Sequence, residues 1–300
     1  MRTMKTILIT GATGFVGRAL ADALVARGDR IVVVSRDPSR ARRAIQKAHR
    51  VVANVDAAAL EGVDAIVNLA GEPVAGRWNA AKKRAIETSR VDATRAIVQA
   101  ISDAKVKPRV LVSASAIGYY GDRGDEILEE TSHAGDDFLA GVCKKWEAAA
   151  HEAETHGMRV VTTRFGLVMG DGGALAAMKP LFALGFGGPL GSGQQWWAWI
   201  HLDDVVGIVM FALDRDDVSG ALNTTAPSPV HQADHARALG HAMHRPAFVP
   251  APALAIRVAT GDFSVELLAS RRVVPARPLA LGYAFRWPDV GPALDAIFAK

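Results

Sequence analysis

The stretch Lys5-Thr-Ile-Leu-Ile-Thr-Gly-Ala-Thr-Gly-Phe-Val-Gly17 constrains this chain more than any other. A short β-branched run ends in Gly11, Gly14 and Gly17, and an amphipathic segment follows at once. Glycines in that pattern permit a tight turn, let a backbone approach a pyrophosphate, and pack a helix closely on its strand. The free N–H groups and the dipole at the start of such a helix attract an anion. A glycine triplet alone is a weak signal, and a mere tight turn is the plain alternative. Placed between strand and helix at the head of a strand–helix alternation, it points to a dinucleotide-binding turn. Gly11, Thr13, Gly14, Phe15, Val16 and Gly17 are therefore expected at a cofactor.

The alternation continues. Strands are expected near 5–10, 30–34, 50–54, 64–69, 109–114 and 159–164, with helices near 14–27, 38–47, 79–103 and 136–156. Runs apolar on both faces, such as Val32-Val33-Val34, belong in a sheet covered on both sides. The expected fold is α/β, a Rossmann-type doubly wound parallel sheet with a smaller C-terminal lobe. Beyond about residue 165 the rhythm becomes irregular, with a loop holding Gly185, Gly187, Gly188, Pro189, Gly191 and Gly193. The division expected is a dinucleotide-binding domain over 1–165 and, over 166–300, mainly a substrate lobe with some elements returning to the core. A chain of 300 residues, half of them hydrophobic, suits one large domain with such an appendage.

The second strand ends in Val34-Ser35-Arg36, where an NAD site usually presents an acid to the ribose 2′-hydroxyl. Arginine offers a planar fork to a 2′-phosphate instead. The expected cofactor is NADP(H) in preference to NAD(H), with Ser35 and Arg36 as binders and Arg40 as a helper. The plain alternative is an exposed arginine at a strand end.

Further motifs join these: Asn68-Leu-Ala-Gly71, Ser113-Ala-Ser115 followed by Gly118-Tyr-Tyr-Gly121, Arg164-Phe-Gly-Leu-Val-Met-Gly170 and Trp199-Ile-His-Leu-Asp-Asp204. Together they resemble the extended short-chain dehydrogenase/reductase family. Asn68 to Trp78 and the segment from Arg245 are similar, more narrowly, to its NAD-dependent epimerase/dehydratase-like branch of "epimerase family proteins" with a characteristic C-terminal segment. The resemblance implies that Leu69, Ala70 and Gly71 lie along the cofactor, Ser113 and Ser115 near the nicotinamide, and Phe165, Gly166, Leu167 and Val168 beside its far face.

One family feature is missing. Members that move hydride carry Tyr-x-x-x-Lys on the helix after the fifth strand, where the lysine lowers the phenol's pKa for proton exchange. None of the three tyrosines here has a lysine four places on. Aligning the family's glutamate onto Glu147 puts Leu139 and Cys143 at the two positions, on one helical face. Leucine has no proton to give, and a thiol in an apolar setting stays protonated, so Cys143 reads as a packing residue and Lys144 and Lys145 as solvated. The proton donor is then sought elsewhere: Ser115 and Tyr119 foremost, with Tyr120, Glu72 and His201 behind them. Each has a bland reading as a packed, capping or hydrogen-bonded side chain.

The remaining signals exclude more than they assign. One cysteine allows no internal disulfide, and no run approaches the length of a membrane span. The basic run from Arg36 to Arg50 lacks the aromatic interleaving of a nucleic-acid surface. His231, His235, His241 and His244 lie at helical spacings without an accompanying glutamate, which reads as a surface helix and not a metal site. Trp197 and Trp199 read as one face of a strand, and Arg77 as a candidate contact for a substrate anion. The expectation is a cytoplasmic monomer or homodimer without metal, nucleic-acid or membrane partners. It is an NADP(H)-binding epimerase/dehydratase-like oxidoreductase of a small polar substrate, or alternatively a catalytically silent NADPH sensor.

Overall fold

Ile7, Leu8 and Ile9 point alternately to the two sides of the first strand, and all three are fully buried. A strand buried on both faces requires helices above and below it. The computed structural model describes residues 3–299 and supplies both layers. The chain runs β1 (Thr6–Thr10), α1 (Phe15–Ala26), β2 (Arg30–Val34), α2 (Pro38–Ala44), β3 (Arg50–Val52), β4 (Ala65–Asn68), α3 (Ala80–Asp103) and β5 (Val110–Ala116). It continues through β6 (Ile127–Leu128), α4 (Phe138–His151), β7 (Arg159–Phe165), β8 (Leu167–Met169), α5 (Gly173–Ala183), β9 (Trp196–Trp197), β10 (Trp199–His201), α6 (Leu202–Asp214) and β11 (Gly220–Thr224).

Seven strands form one sheet in the order β3-β2-β1-β4-β5-β7-β11, every pair parallel. On one face Ile7, Ile9, Val33 and Val112 pack with Leu20 and Leu24 of α1 and Ile208 and Val209 of α6. On the other, Leu8, Val32, Ile66 and Leu111 pack with Ile97 and Ile101 of α3 and Ala150 of α4. The order reverses between β1 and β4, so the carboxyl ends of these two strands open onto a crevice where such sheets bind ligands.

The expected elements appear with shifted ends. Asn79 caps α3, its Oδ1 accepting from Lys82 N at 2.8 Å, and Asp137 caps α4 from Ala140 N at 2.8 Å. The helix expected over 136–156 therefore starts at 138, and it tightens into a 3-10 turn over Glu152–His156. The third strand stops at Val52. The seventh strand, β11, lies outside the six expected; it comes from the C-terminal half and pairs with β7 along Gly220–Thr224.

After β11 come β12 (Val230–His231), α7 (Gln232–Ala242), α8 (Ala253–Thr260), α9 (Ser264–Leu268), β13 (Arg272–Val273), α10 (Ala276–Ala280) and α11 (Val290–Phe298). Asp204 on α6 fastens this end of the chain: its carboxylate accepts from Arg286 N at 2.8 Å and Trp287 N at 2.9 Å. A separate apolar cluster gathers Leu175, Phe182, Trp199, Leu239 and Leu294.

Two expectations are corrected. Trp197 and Trp199 do not share one strand: the run divides at Ala198, β9 pairing with β12 and β10 with β8. The Ala198 carbonyl turns to accept from Leu167 N at 2.9 Å, which breaks the alternation. The histidines do not lie together on a surface helix either. His235 is fully buried, because it is on the face of α7 that carries Ala236 and Leu239 into the core. His231 precedes the helix and stacks on Trp196, with centroids 3.9 Å apart.

Candidate functional site

Gly11 begins the turn after β1 with φ +70°, and a Cβ there would sit 2.6 Å from the Leu69 carbonyl oxygen. Only glycine accommodates both the left-handed backbone and that close approach. Gly17, one turn into α1, would place a Cβ 2.2 Å from the Gly11 carbonyl oxygen, so its role is to let helix and turn touch. Gly14 stands at the N-cap of α1, supplies no side-chain cap, and no acidic residue lies in the first turn. The first N–H groups of that helix thus face the crevice without a protein anion, which suits an anionic ligand.

A cleft of about 630 Å³ opens there, within the range of small-ligand sites. Its walls include Thr10, Gly11, Thr13 and Gly14, then Ser35, Arg36 and Arg40 at the end of β2, and Leu69, Ala70 and Gly71 after β4. Asp37 also lines it, but its carboxylate caps α2, accepting from Arg40 N at 2.9 Å and from Ser39 Oγ at 2.7 Å. Those hydrogen bonds hold its pKa below the ordinary carboxylate value. Both bonds fall on Oδ1, which ties this oxygen of Asp37 to the start of α2. The sequence pattern gave no sign that Asp37, Ala53, Asn54, Pro73 and Ser89 also line the cleft.

Other expected cofactor residues lie outside those walls. Phe15 packs against the glycines after β8: a Cβ on Gly170, Gly172 or Gly173 would meet its ring within 2.9 Å. Val16 and Val168 pack on the core. Gly166 lies so close to the Ala198 carbonyl that a Cβ would be 2.8 Å away, while Phe165 ends β7 and Leu167 pairs with Trp199.

Toward β5 the character changes. Asn68 accepts from Thr10 Oγ1 at 2.7 Å and donates to Thr94 Oγ1 at 2.9 Å and Ser113 Oγ at 3.2 Å, all buried. Trp146 Nε1 of α4 donates to the same Thr94 hydroxyl at 3.0 Å. Ser113 is thus held inside a network that ties β1, β4 and β5 to α3.

Ser115 is 2 % exposed and donates to Glu147 Oε1 at 2.6 Å. Glu147 receives Arg164 in a two-pronged pair, Nε to Oε1 and Nη2 to Oε2, each 2.8 Å. Arg164 Nη1 donates to the Tyr120 hydroxyl at 2.9 Å, and Tyr120 donates to Asn223 Oδ1 at 2.6 Å. Burial opposes the arginine's charge, but the Glu147 carboxylate more than offsets it and raises its pKa. Burial pushes Tyr120 up to about 12.

The proton-donor candidates separate on this geometry. Ser115 and Tyr120 are spent inside the network. Glu72 is paired with Lys82 Nζ at 2.8 Å, which holds its pKa down. His201 Nδ1 accepts from Asp203 N at 3.0 Å and caps α6. Tyr119 is half-buried, its ring lies 3.5 Å from the Arg164 Cζ, and its hydroxyl has no hydrogen-bond partner among the described residues.

Leu139 and Cys143 face inward as the helical spacing requires, 8 % and 4 % exposed. Burial, with Glu147 nearby, pushes the Cys143 thiol up to about 12, so it is neutral. Lys144 and Lys145 are exposed, Lys145 reaching Glu87 at 2.6 Å. Arg77 is exposed and packs beside Gly261. Among the described residues no group of three or more histidine, cysteine, aspartate or glutamate side chains could hold a metal ion, and no helix is long and apolar enough to cross a membrane.

A parallel sheet in this order, with a glycine-lined helix start at its switch point, defines a dinucleotide-binding α/β protein. The chain belongs to the NAD-dependent epimerase/dehydratase family, whose model matches residues 7–224, and a domain of unknown function, DUF1731, matches 251–297. It is 40% identical over 304 residues to an Arabidopsis thaliana protein named epimerase family protein SDR39U1 homolog, chloroplastic, covering 98% of this chain and 87% of that one. A crystal structure of human epimerase family protein SDR39U1 with NADPH superposes with a TM-score of 0.88 at 35% identity, covering 98% of this chain and 99% of the human one. A Corynebacterium glutamicum nucleoside-diphosphate sugar epimerase gives a TM-score of 0.80 at 34% identity, covering 99% of this chain and 58% of that protein.

Proposed function

We propose that the chain binds NADP(H) in the cleft and acts as an epimerase/dehydratase-like oxidoreductase on a small polar substrate. One observation carries the reading: the uncapped glycine turn of α1 and the Ser35–Arg36 edge of β2 line the same cleft. The turn suits the pyrophosphate and Arg36 suits a 2′-phosphate. The human relative's crystallisation with NADPH supports the same cofactor.

Bound NADPH supplies a hydride. The protein's part is to bind the cofactor, shape the substrate pocket and deliver a proton. Tyr119 is the proton donor of this reading, because its hydroxyl alone among the expected candidates is uncommitted within the described residues. The lone buried cysteine suits a cytoplasmic protein. The second reading, an NADPH sensor without turnover, draws on Leu139 and Cys143, which bring no proton-exchanging pair to the helix.

The test measures NADPH and NADH affinity by fluorescence titration, then follows label from NADPH deuterated at its transferable position into aldehydes, ketones and sugar nucleotides. Arg36→Ala should narrow the NADPH:NADH affinity ratio at least about tenfold, the size of a charge-assisted contact. An unchanged ratio defeats the assignment of Arg36. Label transfer lost in Tyr119→Phe supports the oxidoreductase, and no transfer at all despite NADPH binding favours the sensor.

A further inference from the structure

The outer side of the C-terminal lobe departs from the usual pattern of surface helices. α5, which reads Gly-Ala-Leu-Ala-Ala-Met-Lys-Pro-Leu-Phe-Ala, has Lys179 as its only polar side chain. A helix apolar nearly all round is normally covered. Here every exposed position from 176 to 186 is apolar, and every exposed position from 245 to 259 is apolar or arginine. Among the described residues eight large apolar side chains are more than half exposed, and six of them are in these two stretches: Leu181, Leu184, Phe186, Phe248, Leu254 and Val258. Such a concentration marks an interaction surface.

Backbone contacts tie the two stretches side by side. Val249 N donates to the Gly187 carbonyl at 3.1 Å, and Ala251 N to that of Pro189 at 2.8 Å. Arg245 Nε reaches the carbonyl of Ala183, the last residue of α5, at 3.2 Å. A Cβ on Gly191 would lie 3.7 Å from that of Ala253, which brings the start of α8 to the same ribbon. Leu254 and Val258 are one turn apart on α8 and share a side. None of the six lines the cofactor cleft.

The charge of this surface selects its partner. No aspartate or glutamate occurs from Gly172 to Leu202 or from His235 to Gly261. The acids that border these stretches have cations of their own: Asp171 with Lys179, Asp203 with Arg286, Asp234 with Arg237 and Asp262 with Lys83. Arg245 and Arg257 are exposed and meet no carboxylate among the described residues. A second copy seated here across a two-fold axis would bring like charges together, with no acid in either stretch to answer them. A layer of anionic lipid answers both features: its acyl boundary takes the apolar side chains, and its phosphates take the arginine heads.

We propose that this face docks the protein on an anionic phospholipid bilayer, with Phe186 and Phe248 entering the boundary between headgroups and acyl chains. The expectation of no membrane partner rests on the lack of a spanning segment, and a protein that lies on a bilayer needs none. The inference is independent of the cofactor and of turnover.

The test is flotation of the full chain with vesicles of phosphatidylcholine alone or mixed equally with phosphatidylglycerol, with thermal unfolding to check that each variant is folded. The wild type should float with the mixed vesicles and much less with the neutral ones, and added salt should release it. Phe186→Ser with Phe248→Ser should weaken binding at least about tenfold, through the lost apolar insertion. Arg257→Gln should weaken it about fivefold, and Arg245→Gln with Arg257→Gln about 25-fold. Binding that ignores either the phenylalanine or the arginine substitutions overturns the inference. So does a wild type that binds no anionic vesicle: a dimer in light scattering that the phenylalanine variant splits would then give the face to a second copy, and a monomer would give it to a different protein.

Discussion

The two sides of the crevice are built on opposite plans. On the β1–β2 side, the helix start at Gly14 has no side-chain cap, and Arg36 faces open cleft. On the β5–β7 side, Ser115, Glu147, Arg164, Tyr120 and Asn223 satisfy one another in a buried chain of hydrogen bonds. The first arrangement leaves donors for a ligand. The second is an interior in polar form, whose geometry is fixed before any ligand arrives. The helix after β5 adds packing to this side, with Leu139 and Cys143 both buried, and in the proposed reading the proton comes from Tyr119 instead.

The strongest way to break the comparison is to remove Glu147. The Arg164 and Glu147 side chains are 5% and 10% exposed, and Glu147→Ala would strand the arginine and free Ser115. Removing one partner of a buried pair costs about 3–5 kcal/mol. The expected outcome is a loss of that size in the denaturant-unfolding free energy, with adenosine 2′,5′-bisphosphate still bound by the fraction that stays folded. Arg36→Ala should do the converse, changing stability by less than about 0.5 kcal/mol while weakening binding. A Glu147→Ala protein of unaltered stability would mean that the buried network is not structural.

His235 is a titratable exception to the satisfied interior, and it makes a pH test. Both ring nitrogens are buried without a hydrogen-bond partner among the described residues, and burial lowers its pKa to about 4. The unfolded chain, with the ordinary value near 6.5, takes up this proton first as pH falls. Stability from this residue is therefore complete above about pH 6.5 and falls progressively toward pH 4, by about 3 kcal/mol in all. His235→Leu should remove that decline, so that the variant's advantage in unfolding free energy widens as pH is lowered from 7 to 4. Parallel curves for the two proteins would show that the ring finds a partner.

How far the sequence carries depends on where a residue's constraint originates. Local constraints were legible: Gly11 and Gly17 must be glycine because of backbone atoms a few residues or one strand away, and the alternation of apolar runs gives the sheet its parallel core. The place of Arg36 at the cleft could be read because it follows a strand whose position comes from that alternation. The strand β11, Gly220-Ala-Leu-Asn-Thr224, could not, since Asn223 and Thr224 turn inward to a network assembled from distant segments. His235 fails for the same reason. It lies in a helix whose pattern is unremarkable, and its burial comes from the C-terminal core packed against that helix.

The smallest effect is expected at Cys143, at the position that the family resemblance aligns with a lysine. Its Sγ lies 3.8 Å from the Ala116 carbonyl oxygen, inside the packing of α4 on β5, and its thiol is neutral because burial raises its pKa to about 12. A neutral thiol is a poor nucleophile, since the thiolate is the reacting species. The native protein should therefore resist iodoacetamide at pH 8 and become labelled only on unfolding. Cys143→Ser places a slightly more polar group in the same space and should cost about 1 kcal/mol, with NADPH affinity unchanged within about twofold. Rapid alkylation of the folded protein, or loss of NADPH binding in a stably folded Cys143→Ser protein, would move this helix from the closed plan to the open one. The contrast between the two sides of the crevice would then fail at the point where it is most specific.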